Sequence, residues 1–69
     1  MSELEVGWLI ERYDADSRPL WWCGLSGLGS LWSHDANDAV RFSREVDARR
    51  VASTLPAPSG TATEHMWCP

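Results

Sequence analysis

The chain has no lysine. All six of its basic residues are arginine, and ten acidic residues set the formal net charge at -4. It lacks the basic stripe on which nucleic-acid binders rely, so direct binding to DNA or RNA is not expected. The missing lysine reads as the mark of a GC-rich genome, because the chain is also rich in alanine. Cysteine is scarce: Cys23 and Cys68 are too few for a disulfide scaffold, and in a reducing cytosol they remain thiols. No apolar run approaches the ~20 residues that cross a bilayer. The opening MSELEV has no basic region followed by an apolar stretch, so no secretory leader is read there. Together these predict a soluble, cytoplasmic protein that meets no membrane.

What is abundant is tryptophan, five in 69 residues. A chain of this size forms one domain, residues 1–69, and buries only ~60% of the surface its unfolded form exposes. Large aromatic side chains, each burying ~150–250 Å², compensate for a thin core. Two of them are adjacent, in PLWWCG (residues 19–24). Neighbours on a strand point to opposite faces, so Trp21 and Trp22 cannot enter one core together. The second must be covered by the chain itself, buried in a homodimer, or exposed as an anchor for a partner.

The patterning predicts strands first. In LEVGWLIERY (residues 4–13), Leu4, Val6, Trp8 and Ile10 share one face, and Glu5, Gly7, Leu9, Glu11 and Tyr13 share a mostly polar outer one. DADSRP is a turn, LWWC a second strand, GLSGLG a loop and SLW a short third strand. The glycines do not form a phosphate-binding pattern, and no P-loop lysine accompanies them. Asp35 then caps a helix that begins in ANDAVRF. Ala39, Phe42 and Val46 lie on one side of that helix, whereas Ala48, Val51, Ala52 and Leu55 lie nearly opposite. One straight helix cannot bury both stripes, so a break is expected near Ser43, which would cap a second helix to about Leu55. PAPSG ends it, and TATEHMW is a last strand returning beside the first or second. The predicted fold is α+β: a small antiparallel sheet of three or four strands, one face covered by a kinked helix or two consecutive helices, in the order β-β-β-α-α-β.

Read in order, Trp8-x-Ile10-Glu11, Leu20-Trp21-Trp22, Trp32-Ser33-x-Asp35, Ala39-Val40-Arg41-Phe42, Asp47-Ala48 and Glu64-His65-x-Trp67 resemble a group of short phage and prophage proteins. The resemblance spans about residues 8–67. It implies a mobile-element origin in a bacterial host cell and brings no catalytic residues.

Chemistry-bearing clusters are sparse. Cys23, His34, His65 and Cys68 could supply four zinc ligands, but Cys23 and His34 lack the tight pairing of structural zinc sites, and no metal or other cofactor is predicted. Cys23 beside two tryptophans reads as a packed thiol and not a nucleophile. Asp14 and Asp16 sit in a turn, where solvation is their ordinary role. No catalytic residue is assigned, and the chain is read as a non-enzymatic protein. The acidic residues Glu3, Glu5, Glu11, Asp14 and Asp16 gather on the first strand and its turn. They either guard a strand edge or, with Tyr13 and Trp21, steer the protein onto a basic protein surface. In size and acidity the chain resembles phage inhibitors of host defence, such as anti-CRISPR proteins, which implies a subunit of a CRISPR effector complex as one candidate partner. A homodimeric accessory protein with no host target and a small zinc-binding domain are the alternatives.

Overall fold

Period-two alternation across residues 5–13 produces the first strand, β1 (Glu5–Tyr13). The computed structural model describes residues 5–27, 29–57 and 59–67. β2 (Pro19–Ser26), β3 (Gly29–Ser33) and β4 (Thr61–Trp67) complete an antiparallel sheet in the order β3-β2-β1-β4. The turn into β2 is built by Asp14. Its Oδ1 accepts the backbone N–H groups of Asp16 and Arg18, both at 2.9 Å, and Ser17 takes a left-handed φ of 63°. The three-glycine segment is less of a loop than its composition suggests. β2 continues through it to Ser26, which pairs with Gly29, and a register shift between Trp22 and Gly24 absorbs the extra residue.

The first and last strands form the longest pairing, unbroken from Glu5↔Trp67 to Glu11↔Thr61. By contrast, β1 and β2 pair only from Tyr13↔Pro19 to Glu11↔Trp21. Beyond that point they part, and residues 39–42 enter the fork. Phe42 and Trp8 exchange backbone hydrogen bonds (2.9 and 2.7 Å), and the Val40 N–H donates to the Trp22 carbonyl at 3.1 Å. Buried backbone groups must be paired, and this insertion pairs those that the parting strands would strand.

The insertion explains why the predicted first helix does not form. Asp35 does cap, accepting the Asn37 N–H at 2.9 Å, but the segment it caps is a single 3-10 turn, Ala36–Asp38. β-branched and aromatic residues then extend, because Val40 and Phe42 gain sheet hydrogen bonds that a helix would deny them. Among the described residues there is accordingly one α-helix, α1 (Glu45–Ala52), in place of two, and the order is β-β-β-3-10-α-β. Its cap position is Arg44, not Ser43, and makes no side-chain cap bond. Acids in its first turn and arginines in its last suit the helix dipole. Arg44 pairs with Asp47 at 3.1 and 3.2 Å, and Arg49 with Glu45. This pairing raises the Arg44 pKa and holds the Asp47 carboxyl below its ordinary range. No helix among the described residues is long and apolar enough to cross a membrane.

The core lies between α1 and one sheet face. Ile10, Trp22, Ala48 and Ala52 are buried, with Trp8, Trp32, Val40, Phe42 and Leu55 packed around them. Ala48 and Ala52, one turn apart, let the helix approach closely. Trp22 stacks on Phe42 (centroids 6.3 Å, 16° between planes), and the Arg12 guanidinium lies 4.4 Å over Trp32. Gly60 closes the return into β4 with φ 83°. A Cβ there would stand 2.7 Å from the Glu11 carbonyl oxygen, so only glycine fits.

Candidate functional site

Among the described residues no helix covers the opposite sheet face. The registers place Gly7, Leu9, Glu11 and Tyr13 of β1 on it, beside Trp21 of β2, Ser33 of β3, and Thr61, Thr63 and His65 of β4. Leu31 joins them by alternation with Ser33. Here the expectation of a polar outer face needs correction: Leu9 has no exposed surface. β1 lies between β2 and β4, and the rings of Trp21 and His65 meet edge-to-face across it at 5.7 Å. Trp21 pairs with Glu11 and His65 with Gly7, so the bridge passes over Leu9. The first tryptophan of the adjacent pair therefore roofs a small second core. The second, Trp22, fills the main one.

Around this roof the face is open. Tyr13 is 62% and Leu31 46% exposed, and Trp21 is half-buried. Glu11, two positions along β1 from Tyr13, is half-buried on the same face. Asp14 follows in the turn, yet its carboxylate is already engaged by two backbone N–H groups, the Arg18 N–H bond being the strongest influence lowering its pKa. Its other oxygen lies 3.5 Å from Nε2 of His34. Nδ1 of His34 lies 2.9 Å from the Pro19 carbonyl, which only accepts, so that nitrogen carries a proton. Asp16 is exposed.

The predicted acidic patch is thus divided. Glu11, Tyr13, Trp21 and the Asp14–Asp16 turn come together. Glu5 sits at the far end of β1, roughly 27 Å from Tyr13. Glu3 lies outside the described residues, as do the side chain of Glu5 and Cys68. Two acids that sequence reading did not place here, Asp35 and Asp38, belong to the end bearing Asp14. His34 links Asp14 to their segment, and Ser33 Oγ donates to Asp38 at 2.9 Å. The zinc arrangement is not assembled. His34 is tied to Pro19 at one end of β1 and His65 faces Gly7, six positions and roughly 20 Å along it. Among the described residues no three metal-ligating side chains gather.

A groove of about 330 Å³ runs between the end of α1 (Arg49, Ala52, Ser53) and residues 59–62. It offers one guanidinium and hydroxyls. Ser53 Oγ already donates to the Arg50 carbonyl at 2.7 Å, and among the described residues no carboxylate, imidazole or thiol lines the groove to act as a base. Compared with protein-family models, curated proteins and solved structures, the chain matches none.

Proposed function

We propose that this chain is a non-enzymatic, phage-encoded binding protein that docks on a host protein through the open sheet face. The observation that carries this reading is Tyr13, 62% exposed at the end of β1 and two positions from the Glu11–Trp21 pair, with the Asp14–Asp16 turn directly after it and Leu31 exposed elsewhere on the same face. Monomeric proteins seldom expose apolar and aromatic side chains together without use, and tyrosine and tryptophan dominate binding hot spots. The carboxylates select a basic surface and accelerate encounter with it. A nucleic-acid-binding subunit of a CRISPR effector complex has such a surface, and carboxylates there would stand in for phosphates. Inhibition of host defence is the role this reading assigns, in a bacterial cytoplasm, and the phage origin rests on the resemblance in the sequence.

Within this reading the two aromatic residues divide the labour. Trp21 stiffens the face by covering Leu9, and Tyr13 makes the contact. The test is a pull-down from lysate of a CRISPR-bearing host, at low and high salt, with wild type and Tyr13→Ala compared by mass spectrometry. A stoichiometric effector subunit, lost at high salt and lost with Tyr13→Ala, is the expected result. Absence of that partner, together with a dimer by light scattering, would replace the proposal with a self-associating accessory protein.

A further inference from the structure

We propose that the free edge of β4 is a strand-addition site for an extended segment of a partner protein, carrying a basic residue opposite Glu64 and apolar residues two positions to either side. This inference concerns the sheet edge and stands apart from the open-face reading.

The two edges of the sheet are unequal. β3 is five residues long, begins at a glycine and pairs through an irregular register, all of which blunt an edge. β4 offers seven residues in unbroken register, with no proline and no bulge. Among the described residues nothing pairs with its outer side. The groups it presents are set by the fork. Trp8 directs both its N–H and its C=O at Phe42, on the β2 side. Alternation then turns Gly7 and Leu9 toward β4, where they face His65 and Thr63. The N–H and C=O groups of Ala62, Glu64 and Met66 therefore project from the free edge.

The side chains of those three residues lie on the helix side. Ala62 is packed into the core, Glu64 is exposed and Met66 is 63% exposed. This pattern decides the occupant. A second copy in the antiparallel register that sets Ala62 against Met66 would also set Glu64 against the copy's own Glu64, and directly opposed like charges destabilise a strand pair. A register centred on His65 instead sets the carboxylate against a methionine. A foreign strand with arginine or lysine opposite Glu64 satisfies both the charge and the apolar neighbours, and the net charge of -4 favours a basic partner.

The test titrates the ¹⁵N-labelled full chain with the end-blocked peptides SVTRTVS and SVTETVS, read by amide shifts and hydrogen exchange. The arginine peptide should move the amides of Ala62, Glu64 and Met66 and slow their exchange, with the glutamate peptide roughly tenfold weaker. Glu64→Arg should reverse that preference, and Glu64→Gln, a milder change at an exposed position, should abolish it. The proposal is overturned by absence of binding at millimolar peptide, by equal affinity for both peptides, by shifts confined to β3 or to Tyr13, or by wild type that dimerises through β4. Tyr13→Ala should leave the titration unchanged, so the edge and the open face fail separately.

Discussion

Replacing Trp21 with alanine tests the roof over Leu9. Leu9 has no exposed surface on a face that carries no helix among the described residues, and the ring pair of Trp21 and His65 crosses above it. Uncovering a leucine forfeits ~1.5–3 kcal/mol of burial, and losing an edge-to-face ring pair another ~0.5–1.5 kcal/mol. One effect runs the other way. The Trp21 indole N–H is buried with no hydrogen-bond partner among the described residues, and its removal returns part of a penalty of ~1–3 kcal/mol. The net loss is about 2 kcal/mol, a large share of the ~3.5–10 kcal/mol expected for a domain of 69 residues. Thermal unfolding followed by circular dichroism should show Tm lowered by roughly 8–16 °C. His65→Ala and the double variant complete a cycle whose coupling should be about 1 kcal/mol. A fall in Tm below about 3 °C, with no coupling, would show that Leu9 is covered by something else.

Trp22→Ala, which removes the stacked partner of Phe42 from the main core, should lose ~3–5 kcal/mol and lower Tm by roughly 12 °C or more, checked by thermal melting followed by near-ultraviolet circular dichroism. Gly60→Ala forces a side chain into left-handed backbone and against the Glu11 carbonyl, so urea denaturation should show a loss of about 3 kcal/mol or more. Val40→Pro deletes the N–H that pairs with Trp22; amide exchange at Trp8 and Phe42 should then accelerate, while β4 amides stay protected relative to them. Asp14 and Asp47 both titrate below the ordinary carboxylate value, so the stability they contribute is complete above pH ~4 and is lost as pH falls through their lowered values. Asp14→Asn can still accept the two backbone N–H groups and should flatten the stability–pH curve below pH ~4; an unchanged acid slope would contradict that account.

Strand identity is legible in the sequence because alternation is a local signal. The turn at Asp14–Ser17 and the return at residues 61–67 can be read from composition and period in the same way. The misreadings arise where a distant backbone decides the outcome. Asp35 announces a cap and does cap, but no local feature of Val40-Arg41-Phe42 reveals a gap between β1 and β2 waiting to be filled. Leu9 reads as solvent-facing because its neighbours Glu11 and Tyr13 are polar; its cover comes from residues 21 and 65, which share no local pattern with it. The acidic cluster is contiguous along the chain, yet an extended strand carries Glu5 and Asp14 to opposite ends of the sheet. Asp35 and Asp38 reach the same end as Asp14 through tertiary structure alone.

The pairing of β1 with β4 also sets the order in which the molecule can assemble. Glu11 meets Thr61 across some fifty residues, and the fork cannot be filled until both of its prongs are placed. Closing a loop of that length opposes folding by roughly 3.5 kcal/mol before any contact compensates. On a ribosome, the hairpin of β2 and β3 is complete long before β4 emerges. Through that interval Trp8, Ile10 and Leu9 lack the strand that pairs with them and the imidazole that helps to cover Leu9, even once the helix has emerged. Folding should therefore be concerted, slow for so short a chain, and dependent on the last strand. A chain halted before residue 61 would expose its apolar first strand to chaperones and to other nascent copies.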